Sequence, residues 1–337
     1  MGIEKVEITE LPIDQYQRYC LASQVIDAVR ESERIFRILE VGGFPPKLPQ
    51  FLRDDFVVVS DRVPCKADFY VRADAVALPF KSEFFDAVIS LDVLEHIPAG
   101  DRLDFLESIK EASTDYVVLA APFDDGLGLI RNAESLLLEF ISERLGYEHQ
   151  YFAEHLANGL PNLNEILTNF TKDSWEIMIL PCGYFPRWFG MTLLEYAIEG
   201  KVSDEVKRKM RRHYNLYFYP LDICEPAYRK LIVASRQGFS EGEKNKIRSL
   251  KSKSEIIDWP PMEYAKTLVE LARIDTQDAL FAKITKLEQE LYAKEEEINH
   301  MKKYIEELEN FTDKVKKMIP YRFYSKFIKP NLRIKKS

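Results

Sequence analysis

Four short runs constrain this chain more than any other feature: IFRILEV (35–41), FVVVSD (56–61), FFDAVISLD (84–92) and DYVVLAAP (115–122). They are short and dominated by apolar residues, as expected of strands covered on both faces. Between the last two lies DRLDFLESIKEA, and before the first lies a stretch over 13–31; both space their apolar residues at helical intervals. Strands alternating with helices in this way predict a parallel, doubly wound sheet. A short strand before Asp74 and two later ones, WEIMILP (175–181) and YRKLIVASR (228–236), bring the expected sheet to seven strands. Helical insertions are expected over about 124–172 and 187–226, which places the α/β domain at 1–237.

The net charge of −8 argues against a general nucleic-acid binder, since phosphate backbones recruit clustered Lys and Arg. The charge is uneven: from Lys314 onward there are nine basic residues and no acidic ones. Cys20, Cys65, Cys182 and Cys224 form no CxxC pair, so reduced thiols in the cytosol are the expectation. MGIEKVEITELP at the start has no apolar run of the signal-peptide kind. No stretch reaches the ~20 apolar residues that cross a bilayer. A soluble, cytoplasmic protein is expected.

Residues 238–257 are polar and lysine-rich and read as a linker. Beyond them, over 258–317, the pattern is helical with a heptad seam. Ile284, Leu291, Ile298, Ile305 and Thr312 fall at a; Leu280, Leu287, Lys294, Met301, Leu308 and Val315 fall at d. Ile at a with Leu at d favours a two-stranded parallel coil, so a homodimer or a partner protein is expected through 280–315. A long helix lying against the domain is the alternative. The end of the chain, 318–337 together with Lys314, Lys316 and Lys317, alternates basic residues with Tyr321, Phe323, Tyr324 and Phe327. That pattern suits either peripheral contact with an anionic membrane or a solvated basic end.

In an open α/β sheet, ligands bind outside the carboxyl ends of the strands, where the strand order reverses. Several polar or flexible residues fall at that edge. Glu40, Gly42 and Gly43 end the first strand. Asp61 ends the second, 21 residues after Glu40, where an acidic side chain can accept both ribose hydroxyls. Asp74 and Ala75 follow the short third strand; Leu91 and Asp92 end the fourth. Taken singly, each has a bland reading: Asp61 as a helix cap, Asp74 as a turn residue, the glycines as a tight turn.

Together, E-V-G-G, VVVSD, ADAVALPFKSEFFDAVISLDVLEHI and DYVVLAAP resemble class I S-adenosylmethionine-dependent methyltransferases, closest to the type 11 group. The resemblance covers about residues 20–237. It implies a Rossmann-like methyltransferase fold whose last strand inserts antiparallel. It also implies that Glu40, Gly42 and Gly43 line the methionine moiety, Asp61 the ribose and Asp74 with Ala75 the adenine. Leu91 and Asp92 would lie beside the methyl group. Phe44 and Pro46 stand where the family's loop continues with glycine. The prolines fix φ and remove two amide donors, so they should stiffen the loop and delay the following helix.

The acceptor side is expected near 154–167. His149 and His155 are the candidate bases, with capping or lid-filling as the alternative; His96 reads as a packing or hydrogen-bonding histidine. The histidine spacing matches no zinc motif, so no metal is expected. The leading expectation is methyl transfer to a small-molecule or glycan-type acceptor, the latter by a loose likeness to methyltransferases of cell-surface polysaccharide assembly. The alternative is a non-catalytic scaffold acting through its coiled coil. A nicotinamide-dependent reductase is disfavoured because the turn lacks G-x-G-x-x-G.

Overall fold

The computed structural model describes residues 7–31, 33–252, 261–274 and 277–318. Its strands are β1 (Arg37–Val41), β2 (Phe56–Asp61), β3 (Tyr70–Arg72), β4 (Phe85–Leu91), β5 (Ser113–Ala121), β6 (Glu176–Tyr184) and β7 (Ala227–Ser235). They form one sheet in the order β3-β2-β1-β4-β5-β7-β6. The first five strands are parallel, and β7 runs antiparallel to both β5 and β6. This is a seven-stranded Rossmann-like sheet of the methyltransferase type. The order reverses between β1 and β4, where Ile38 pairs with Ala87 on one side and Val57 on the other.

Successive strand residues point to opposite faces, so the strands feed two cores. Ile38, Val57, Val59, Ala87 and Ile89 pack with Leu21, Val25 and Ile26 of α1 (Ile13–Val29). Leu39, Val41, Val58 and Val88 pack on the other face with Phe105, Leu106 and Ile109 of α2 (Arg102–Ala112) and with Ile166 and Phe170 of α5 (Leu163–Lys172). A third core joins α3 (Leu129–Leu145), α4 (Gln150–Asn158), α6 (Phe185–Ala197) and α9 (Pro261–Ile274). Its centre is Leu137, Phe140, Phe185, Trp188 and Phe189, all nearly or fully buried. Another helix, α7 (Asp204–Tyr217), precedes β7.

Within the stretch 238–257 expected as a linker, residues 238–252 are described and hold a short helix. Ser240 accepts from the Glu243 amide while the Glu243 carboxylate accepts from the Ser240 amide, a capping box that starts α8 (Glu241–Ser249). Ile247 alone of this helix is buried, in the core beneath α1. One apolar anchor in nine residues is too weak a periodic signal to distinguish a helix from a linker. Ser240→Ala should cost about 1 kcal/mol, read as a lowered urea midpoint with unchanged m.

Between β1 and β2 only a one-turn 3₁₀ helix, Leu48–Gln50, is present, in keeping with prolines at 45 and 46 that lack amide donors. Residues 273–337 form a unit of their own. Its helix α10 (Gln277–Met318) carries Leu291, Ile298, Met301, Ile305 and Leu308 exposed along the expected seam. The side chains at 280, 284, 287 and 315 and the tail 319–337 lie outside the described residues. Among the described residues, no helix is long and apolar enough to cross a membrane.

Candidate active site

Gly42 and Gly43 both donate their amides to the Ser60 carbonyl, at 2.7 and 3.3 Å, which ties the end of β1 to β2. Gly42 has φ +79°, and a Cβ there would fall 2.2 Å from Val93 Cγ2. At Gly43 a Cβ would fall 2.4 Å from Glu40 Cδ. Glycine is required at both positions by close approach, and at the first also by backbone conformation.

Glu40 itself is 1% exposed and lies beneath this turn. Burial pushes its carboxyl up to about 8; the Tyr19 hydroxyl, the Arg18 charge and the Leu48 amide only partly offset this. Its Oε2 has no hydrogen-bond partner. Asp61 accepts the Phe44 amide at 3.1 Å and the Val63 amide at 2.9 Å, so it fixes the loop that carries Phe44. Carboxylate oxygens have about four lone-pair sites, so these two bonds leave acceptor capacity for a ligand. Asp74 is exposed, accepts the Val76 amide at 3.2 Å and lies 3.5 Å from Arg62 Nη2. Ala75 packs at the margin of the second core. Leu91 is buried in the core under α1.

Asp92 is the most heavily engaged residue of the edge. It takes φ +55°. Arg229 of β7 donates to it from Nε at 2.9 Å and from Nη2 at 2.7 Å, and Arg18 of α1 donates at 2.5 Å. Burial alone would raise its carboxyl, but the Arg229 and Arg18 charges outweigh that and hold it at about 2. Sequence reasoning missed both arginines. For Arg229 the available signal was a basic residue within the largely apolar strand AYRKLIVAS, where it is buried while the neighbouring Lys230 is only partly so.

A second polar cluster lies just after β4, in the one-turn helix Leu94–His96. His155 of α4 is buried, with Nδ1 2.8 Å from Glu134 Oε1 and Nε2 3.3 Å from His96 Nε2. His96 Nδ1 lies 2.8 Å from Glu154 Oε2. The Tyr228 hydroxyl donates to Glu134 Oε1 at 2.6 Å. Burial, and then the neighbouring His155, lower the His96 pKa below the ordinary histidine value. Glu95 is fully buried, and burial together with the Asp92 charge raises its carboxyl well above the usual range. His149 is placed apart from this cluster: it caps α4 by accepting the Phe152 amide, and its Nε2 lies 2.6 Å from the Tyr196 hydroxyl. Of the two histidines expected as bases, the structure thus brings His155 to the end of β4 and gives His149 a capping position.

Two surface cavities flank the edge. One, of about 490 Å³, is lined by Arg102, Leu103, Asn162, Ile166 and Asn169. The other, of about 370 Å³, is lined by Leu11, Gln15, Pro45, Lys47, Lys207 and Arg211. Neither includes Glu40, Asp61, Asp74 or Asp92, so the case for a ligand rests on the strand-end residues.

The strand order, with β7 reversed between β5 and β6, places the molecule in the class of methyltransferase-fold proteins. Residues 57–114 match the family model described as a methyltransferase domain, a segment running from β2 into β5. No curated protein matches the sequence. Among solved structures, an S-adenosylmethionine-dependent methyltransferase from Thermotoga maritima is 13% identical over 68% of this chain and 98% of its own, with a TM-score of 0.39. The complex of the Haloferax volcanii Trm112 methyltransferase activator with a methyltransferase gives 14% identity over 67% of this chain and 92% of the matched one, with a TM-score of 0.41. Phosphoethanolamine N-methyltransferase 2 of Haemonchus contortus, in complex with phosphomonomethylethanolamine and S-adenosylhomocysteine, gives 18% identity over 64% and 51%, with a TM-score of 0.37.

Proposed function

We propose that the protein transfers a methyl group from S-adenosylmethionine to a small-molecule or glycan-type acceptor, as in cell-surface polysaccharide assembly. The observation that carries this reading is the gathering of Glu40, Gly42, Gly43, Asp61, Asp74 and Asp92 at one sheet edge, around the point where strand order reverses. The residues fit the cofactor: two glycines in a turn too tight for any side chain, an acidic residue with spare acceptor capacity at the end of β2, and a buried carboxyl with an unpartnered oxygen beneath the turn. When bound, the cofactor supplies an activated methyl and its own leaving group. The chain's tasks are then positioning and exclusion of water. Asp61 would hold the ribose, Asp74 with Ala75 the adenine, and the Gly42–Gly43 turn the methionine end, with Leu91 walling the methyl position. Asp92, neutralised by two arginines, would act there as a fixed wall rather than a base. His155, turned toward His96, is the better placed of the two histidines for a proton-handling role.

A second reading is favoured by a specific observation: both glycine amides are already spent on Ser60, and the seam of α10 presents Leu291, Ile298, Ile305 and Leu308. Here the domain is a scaffold, and a second copy of the chain pairs with α10 as a parallel coil. In either case the basic end over 314–337 would favour contact with an anionic membrane surface. Calorimetric titration with S-adenosylmethionine separates the two. One-to-one binding at micromolar cofactor is expected; no heat at millimolar cofactor would leave the scaffold.

A further inference from the structure

We propose that Glu95, His96 and His155 form a binding site for one divalent transition-metal cation. A carboxylate can only accept, so the Glu134 contact at 2.8 Å puts a proton on Nδ1 of His155, and the Glu154 contact at 2.8 Å does the same for His96. In the neutral rings both Nε2 atoms are then lone-pair acceptors, yet they face each other at 3.3 Å. Two lone pairs at that distance repel unless something positive lies between them.

The third wall is Glu95. It is fully buried, and apart from its own backbone amide neither carboxylate oxygen has a donor. A buried carboxylate without partners is costly. Its Oε1 lies 3.9 Å from His155 Nε2, and one ligand atom from each of the three residues falls within 4.8 Å of the others.

The distances have the scale of a coordination shell. Two nitrogens each about 2.0–2.1 Å from a tetrahedral Zn²⁺ lie about 3.4 Å apart, close to the separation seen. Both imidazoles also have the outer-shell carboxylate that metal-bound histidines commonly use, Glu134 for one and Glu154 for the other. Glu134 is itself held by the Tyr228 hydroxyl. Two imidazoles and one carboxylate suit Zn²⁺ or Fe²⁺ far better than Mg²⁺ or Ca²⁺, which prefer all-oxygen shells. Three protein ligands leave at least one position for water or an acceptor oxygen.

The site uses residues that the cofactor reading does not assign, apart from His155, and it can stand or fall separately. The test takes the full chain, stripped with a chelator, and titrates Zn²⁺ by calorimetry and Co²⁺ by visible absorption. One equivalent should bind, with Co²⁺ d–d bands of a low-coordinate nitrogen/oxygen site. Glu154→Gln, an outer-shell change at a half-exposed residue, should weaken affinity about 10- to 100-fold. His96→Gln should weaken it further and abolish the Co²⁺ spectrum, while His213→Gln, at a residue of α7 that lies against the rings of Tyr217 and Phe218 and outside the cluster, leaves both unchanged. Absence of stoichiometric uptake would overturn the proposal in favour of a proton shared by the two rings. So would uptake equal in His96→Gln and the parent. S-adenosylmethionine titrated into the same stripped sample reports the cofactor site independently, so failure of one reading is distinguishable from failure of the other.

Discussion

Replacing Arg229 with alanine should destabilise the folded protein by about 3–5 kcal/mol, because it breaks a buried ion pair from one side. Arg229 is 2% exposed and makes two of the three hydrogen bonds that hold Asp92. Removing it leaves a desolvated carboxylate with Arg18 alone. The pH dependence separates charge from packing. Asp92 sits at about 2 in the folded state, below its ordinary 3.8, so its contribution is present above pH ~4 and lost as pH falls toward 2. The gap between parent and Arg229→Ala in urea unfolding should therefore narrow between pH 4 and pH 2. A gap constant with pH would mean that only packing was lost, and the account of Asp92 as a charge-neutralised wall would be wrong.

Glu40→Gln should have the opposite sign at mildly alkaline pH. The folded-state pKa of Glu40 is raised from 4.5 to about 8, chiefly by burial. A raised carboxyl contributes stability that is fully present below the unfolded pKa and lost as pH climbs to the folded one. Through this group the parent should lose up to about 1.4 kcal/mol per pH unit between pH ~4.5 and ~8. Glutamine keeps the shape and does not ionise, so the variant should be more stable than the parent at pH 8, by on the order of 4 kcal/mol. At pH 5 the two should be close. Equal stabilities at pH 8 would show that the Tyr19 hydroxyl and Leu48 amide already solvate the charge.

How much of this was legible in the sequence follows from the range of the interactions involved. The strands could be read because their signal is local: runs such as FVVVSD need only a few neighbours to declare a covered strand. The edge residues followed from them, since Asp61 and Asp92 are simply the last polar residues before the chain turns. The partners of those residues could not be read. Asp92 meets Arg18 and Arg229 from 74 and 137 positions away, and His155 meets Glu134 and His96 only once α3 and α4 fold over the end of β4. The contact between His96 and His155 escapes any motif of closely spaced histidines for the same reason, since the two are 59 positions apart. The α8 segment shows a different failure, a helix declared by its capping box but anchored by a single apolar residue. The loop after Gly43 is legible through its prolines, and the short 3₁₀ turn that follows, in place of a full helix, is in keeping with them.

On the proposed function, the edge formed by β1, β2 and β4 holds S-adenosylmethionine. The most direct test is a structure of the protein with S-adenosylhomocysteine bound. The account predicts the Asp61 carboxylate within hydrogen-bond distance of both ribose hydroxyls, the adenine beside Asp74 and Ala75, and the amino-acid end over Gly42 and Gly43. A ligand seated instead in the groove between Lys47 and Arg211, with Asp61 still turned to Phe44 and Val63 and remote from it, would contradict the account.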